Sequence, residues 1–327
     1  MKALYEWKSG IAEVVKNYIS LKRQTGMKFE SQERYLQHFD TFYYVSGFEG
    51  IYLTKEMVQD FIYSKNERPS SHHNKEVVMR DFAIYLKDRG YHAYVTEINT
   101  KLPSCKFIPH IFTDDEIRRL FTAIDNYPQA KMSYRNAIDP VLFRFLYGTG
   151  VRISEALGIV LNDVNMEFGT VTIRAAKNMK DRLIPMAESL SKRICALMNV
   201  FHRYSDDGMW LFPSCYYGVM GQMDKNTAYN HFRDYLLMAD IPHTSVGPRI
   251  HSFRHGFAVK CLKNWVLEGN DLTSMLPYLS AYMGHSDFRG TQYYLRLTSD
   301  LYPEIVRRVE EEFGYVIPTG EVIYDEA

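Results

Sequence analysis

Apolar residues recur at helical spacing through the first part of the chain. Between residues 7 and 23 they fall at Trp7, Ile11, Val14, Val15, Tyr18, Ile19 and Leu21, which predicts a helix that Gly26 stops. Ser31 is placed to cap a second helix through Tyr35, Leu36, Phe39, Phe42 and Tyr43, ending near Gly47. Thr54 precedes a third, with Met57, Val58, Phe61 and Ile62 on one face. Pro69-Ser70-Ser71 breaks the chain before a fourth that carries Val77, Val78, Phe82, Ile84, Tyr85 and Leu86. Gly90 stands where its C-terminal cap belongs. Four short amphipathic helices predict an all-α domain over residues 1–92.

Residues 93–110 lose this period and contain Pro103 and Pro109, the pattern of an extended linker. Thr113-Asp114-Asp115-Glu116 then reads as a capping box that opens a helix through Leu120 and Ile124. A second domain is therefore expected over 111–300, with a tail over 301–327. Its pattern is mainly helical, with helices around 188–204, 227–239, 252–267 and 272–283. One stretch alternates instead: Thr170–Arg174 and Arg182–Pro185 flank a polar Lys/Asn segment, which predicts a β-hairpin. The fold class expected is mainly α with a small β-hairpin or sheet, an α+β domain behind an all-α one.

Length and composition narrow the classes. With 327 residues, two domains of ordinary size are expected. The 46% hydrophobic and 24% charged fractions exclude a disordered or collagen-like chain. No apolar run is long enough to span a membrane, and the N-terminus lacks the apolar core of a signal peptide, so a cytoplasmic protein is expected. Cys105, Cys195, Cys215 and Cys261 lie far apart without metal spacing, as reduced packing residues do. Lys+Arg and Asp+Glu both number 39, so any nucleic-acid surface must come from local clustering.

The residues with chemical potential are scattered, and each is weak alone. Arg152 follows Gly148-Thr149-Gly150-Val151 at a turn into a helix, without the lysine and longer glycine fingerprint of a phosphate loop. Lys177 lies in Ala176-Lys177-Asn178-Met179-Lys180, the tip of the expected hairpin, where charges are usually solvated. In His251-Ser252-Phe253-Arg254-His255 the two histidines and the arginine share one helix face. Without the glutamate of a zinc-protease helix, and with an arginine between them, they make a poor metal site. Gly284-His285 ends another helix, and Tyr294, preceded by Tyr293, stands nine residues after His285.

Together these segments resemble the tyrosine recombinase (phage integrase) family. The matching stretches are Gly148–Leu157, Lys177–Pro185, His251–His255 and Leu279–Tyr294, in the family's order and spacing across residues 110–305. The resemblance maps the family's set of Arg, Lys, His-x-x-Arg, His and Tyr onto Arg152, Lys177, His251, Arg254, His285 and Tyr294. It implies a site-specific recombinase or integrase, as of a phage or mobile element, with a core-binding domain followed by a catalytic domain. A DNA-binding relative without chemistry, a type IB topoisomerase-like enzyme and a chromosome-dimer resolvase are the alternatives. The hairpin departs from the usual Gly-Lys-Gly-Asn-Lys, so Lys180 rivals Lys177, and Tyr293 rivals Tyr294.

The chemistry implied suits these residue types. Two guanidiniums, Arg152 and Arg254, can hold the non-bridging oxygens of a phosphodiester. A tyrosine with a free pKa of about 10 needs help to lose its proton, which assigns His251 as general base. His285 would donate to the phosphate, and Lys177 would protonate the leaving 5′ oxygen. Glu155, one helical turn past Arg152, could orient it or simply be solvated. The product would be a 3′-phosphotyrosyl link, with no metal or cofactor required. The partners implied are double-stranded DNA carrying specific sites, copies of the chain in a tetramer on paired DNA, and in some systems accessory factors, at the nucleoid. Downstream, Leu301, Ile305, Val306, Val309 and Phe313 have helical spacing, for packing at home or on a neighbouring protomer.

Overall fold

A computed structural model describes residues 5–102, 109–129, 133–174, 181–216, 219–244, 247–285 and 293–294. The chain divides into two compact units, Met1–Lys106 and Phe107–Ala327.

The first unit holds α1 (Ala12–Gln24), α2 (Glu30–Val45), α3 (Lys55–Tyr63) and α4 (Pro69–Lys87). Their apolar faces meet in a core built on Tyr18, Phe39, Tyr43, Phe61 and Phe82. Thr54, which precedes the third helix as expected, caps α3 by accepting from the Met57 amide at 3.2 Å. Two helix starts differ from the sequence pattern. α2 begins at Glu30 behind Phe29, which adopts a left-handed conformation (φ 52), so Ser31 lies inside the first turn and caps nothing. α4 begins at Pro69 itself, whose missing N–H costs nothing at the first helical position.

Two buried carboxylates pin the ends of this unit. Asp40 accepts from the amides of Lys8 and Ser9, at 3.0 and 3.1 Å, and so holds the approach to α1. Glu76 accepts from the Tyr63 hydroxyl, and from the Thr100 amide and hydroxyl at 3.1 and 2.7 Å. Residues 93–100 therefore run along the first unit. Ala93 bridges Leu53, Tyr94 and Val95 pack on its core, and Arg80 donates to the Thr96 carbonyl at 2.8 Å.

The second unit opens with α5 (Asp114–Asp125), whose Thr113–Glu116 capping box is formed on both sides. α6 (Arg135–Thr149) and a four-residue helix, α7 (Ile153–Ala156), follow. Strands β1 (Val164–Asn165), β2 (Thr170–Ile173) and β3 (Arg182–Pro185) then make an antiparallel sheet in that order, with Ile173 opposite Arg182. After α8 (Glu188–Val200) comes a second hairpin, β4 (Pro213–Tyr216) and β5 (Val219–Gln222), then α9 (Lys225–Met238), α10 (His251–Leu267) and α11 (Leu272–Met283).

The core forms around α6, which packs on α8 and α10 and buries Ile138, Leu142, Phe143, Phe145 and Leu146. Each such side chain contributes about 1.5–3 kcal/mol by leaving water. Asp139, also buried, ties α6 to α9 by accepting from the Tyr235 hydroxyl and from His231 Nδ1, each at 2.7 Å. Among the described residues no helix is long and apolar enough to cross a membrane. The downstream stripe from Leu301 to Phe313 lies outside the described residues.

Candidate active site

Four chain segments converge at the C-terminal end of α11. Helix α6 stops because Gly150 takes a left-handed turn (φ 63), and the chain re-enters helix at Ile153. That re-entry leaves Arg152 at the N-cap of α7, where Glu155 accepts from its backbone amide at 2.9 Å. The same carboxylate accepts from Arg152 Nη1 at 2.8 Å. The Arg152 guanidinium also reaches the carbonyls of Met283 and Gly284, at 3.4 and 3.3 Å.

Arg254 arrives from α10, whose opposite face buries Phe253 against Phe112, Phe121 and Phe143. Only 2% of Arg254 is exposed. It donates to the Gly150 carbonyl at 2.9 Å and to the Met283 carbonyl at 2.6 Å. Burial first, then the positive Arg152, push its pKa down to about 10, which leaves it charged at neutral pH.

The arginines thus rest on carbonyls that α11 leaves unpaired at its C-terminus, where the helix dipole is negative. The Gly284 turn (φ 64) presents these carbonyls and brings in His285. His285 Nε2 lies 3.2 Å from Arg254 Nη2. A guanidinium can only donate, so this nitrogen is the acceptor and the ring proton sits on Nδ1. A donor role of His285 toward phosphate requires Nδ1–H or a second proton on the ring.

Tyr294 is 3% exposed and stacks on His285, ring centroids 5.8 Å apart and planes 19° apart. Burial raises its pKa, while the charge and hydrogen bond of Arg254 and the charge of Arg152 pull the other way. Tyr293 is half-buried and stands edge-on to Tyr294, centroids 5.6 Å apart. His251 and His255 rings lie 4.7 Å apart on one face of α10. His251 reaches solvent, yet desolvation and the guanidiniums of Arg254 and Arg152 lower its pKa to about 4, leaving it neutral at neutral pH. His255 contacts both tyrosine rings, at 5.8 and 5.6 Å, and its buried Nδ1 has no partner among the described residues.

Five of the expected residues, Arg152, His251, Arg254, His285 and Tyr294, are therefore brought to one cluster, with Glu155 behind Arg152. Lys177 and its rival Lys180 lie outside the described residues. Arg182 is an addition. It starts β3 on the same face as the buried Ile184, and this inward period-2 position was the available signal. No group among the described residues could hold a metal ion.

The site thus gathers three arginines, three histidines and a buried tyrosine in a mainly helical domain. Residues 110–300 match the Phage integrase family, and the chain belongs to that family. It is a site-specific recombinase enzyme. It is 28% identical over 269 residues to the tyrosine recombinase XerA of Pyrococcus furiosus, spanning 81% of this chain and 85% of the relative. It is 27% identical over 324 residues to a Sinorhizobium fredii protein described as an integrase/recombinase, spanning 93% of this chain and 98% of the relative. Its fold is similar to that of a lambda integrase tetramer bound to a Holliday junction (TM-score 0.60, 13% identity, covering 86% of this chain and 76% of that one).

Proposed function

We propose that the chain cuts and rejoins double-stranded DNA at specific sites through a 3′-phosphotyrosyl intermediate, with Tyr294 as nucleophile. The observation that carries this reading is the buried Tyr294 phenol, stacked on His285 and with the charge of Arg254 favouring its ionised form. Arg152 and Arg254 exchange the α11 carbonyls for the non-bridging oxygens of the scissile phosphate and stabilise the charge that grows there. The neutral His251 takes the phenol proton as the oxygen attacks phosphorus. The P–O5′ bond breaks, Lys177 protonates the departing oxygen, and a free 5′-hydroxyl from another duplex reverses the step. His285 and Glu155 hold phosphate and Arg152 respectively.

In this reading residues 1–92 bind the core of the DNA site, 93–110 link, 111–300 catalyse, and 301–327 end the chain with a helix that docks on a neighbouring protomer. The assembly is a tetramer on paired sites, and the setting is a phage or mobile element. The tetramer that lambda integrase forms on a Holliday junction supports the assembly.

The test uses a nicked duplex whose sequence the full chain has itself selected from a random pool. Covalent adduct should form and map to Tyr294. A Tyr294→Phe variant that still forms it transfers the role to Tyr293. Lys177→Ala should cleave slowly except on 5′-thio DNA, where the leaving group needs little acid, and an equal handicap on both substrates removes the lysine from the reaction.

A further inference from the structure

Three guanidiniums meet the end of α11, but the chemistry above uses two. The third, Arg182, is 11% exposed as a side chain, and its partner Glu155 is 8% exposed. Arg182 Nη2 donates to Glu155 Oε2 at 2.7 Å and Nη1 to Oε1 at 3.2 Å, while Nε donates to the Tyr282 carbonyl at 2.9 Å. Its guanidinium also lies so close under Gly284 that a Cβ there would stand 2.8 Å from Nη1. The arginine is thus clamped between the carboxylate and the turn that presents His285.

We propose that Arg182 is a positioning residue for strand cleavage: by sharing the Glu155 carboxylate with Arg152, it holds the Arg152 guanidinium to a single hydrogen bond on that carboxylate and leaves its charge available to phosphate. This rests on the strand-cleavage reading above. Each Glu155 oxygen accepts two hydrogen bonds, one from Arg182 and one from Arg152, so the carboxylate is filled. A carboxylate with an open edge draws an arginine into the bidentate fork geometry. Without Arg182, that arginine would be Arg152, rotated away from the substrate and neutralised by its own anchor.

The charges agree. Arg152, Arg182 and Arg254 against Glu155 leave a surplus of two positive charges beside a dianionic transition state, and loss of Arg182 halves it. Lysine would keep the charge but not the fork, because its ammonium cannot occupy both carboxylate oxygens and the Tyr282 carbonyl in one plane.

The experiment compares the full chain with Arg182→Met and Arg182→Lys, each alone and with Glu155→Gln. The substrate is the selected nicked duplex at saturating protein. Single-turnover rate constant, final adduct amplitude, single-site affinity and melting temperature are read together. Arg182→Met should lower the rate constant about 10- to 100-fold while affinity changes less than about 3-fold and amplitude stays full; Arg182→Lys should fall between. In the Glu155→Gln background the same change should cost less than about 3-fold, because the carboxylate that captures Arg152 is gone. A wild-type rate in Arg182→Met overturns the proposal, as does an equal loss with and without Glu155. Loss of amplitude and melting temperature at an unchanged rate constant overturns it too, since that is damage to folding alone. If the unaltered chain forms no adduct, the strand-cleavage reading itself fails.

Discussion

Replacing Gly150 by alanine probes whether the turn between α6 and α7 builds the site. Gly150 has φ 63, a conformation that costs a residue with a Cβ about 1–2 kcal/mol. The new methyl would stand 2.7 Å from Phe257 Cδ1, 2.8 Å from Cγ and 3.0 Å from Cβ. Rotating the Phe257 side chain about its Cα–Cβ bond moves the first two contacts but not the third, because Phe257 Cβ is fixed by the α10 backbone. Overpacking of this kind costs about 1–3 kcal/mol, so the two effects together amount to about 2–5 kcal/mol. In a domain of this size each kcal/mol moves the melting temperature by about 2–4 °C. Thermal unfolding of Gly150→Ala should therefore fall by at least about 4 °C. Since the Gly150 carbonyl seats Arg254 at 2.9 Å, adduct formation should slow as well. Adding Phe257→Ala should return part of the loss and leave the backbone strain of about 1–2 kcal/mol. A Gly150→Ala protein that melts within about 1 °C of the original would refute the claim that this turn is sterically closed.

Two further outcomes are expected. The imidazole pKa values of His251 and His255 are pushed down to about 4 and about 3, by burial first and then by neighbouring charge. The unfolded chain thus binds more protons below pH about 6.5, and stability should fall as pH drops from there toward about 4. His255→Phe should flatten that slope in melts at pH 7.5, 6 and 5, and an unchanged slope would exclude His255 as a contributor. Glu76→Gln should loosen residues 97–102, because each hydrogen bond to this carboxylate is worth about 1.5–3 kcal/mol. Mass mapping of the first protease cuts should find them in that segment, and an unaltered cleavage pattern would show that Glu76 does not hold it.

Much of this protein could be read along the chain because its determinants are local. The Thr113 capping box, the start of α3 after Thr54 and the pairing of Thr170–Ile173 with Arg182–Pro185 depend on neighbours close in sequence. The same reasoning put the Ser31 cap two residues late, since nothing in the pattern announces that Phe29 turns left-handed. It also gave no helix at α6, which is apolar on nearly every face and carries Pro140, so no amphipathic stripe marks it. Hairpin β4–β5 carries too little alternation to stand out.

At the site the division is the same. Residue types and spacing determined the family and the face that His251 and Arg254 share, because a helical period is a property of consecutive residues. Which donor meets which acceptor was decided by packing alone. Gly150 and Arg254 are brought together by the contact of α6 with α10, and Arg182 and Tyr282 by that of β3 with α11. The double occupation of Glu155, the carbonyl seats of the arginines and the acceptor state of His285 exist only once those elements dock. A hydrogen bond needs its partners within about 3 Å, and no one-dimensional pattern encodes a distance between segments a hundred residues apart.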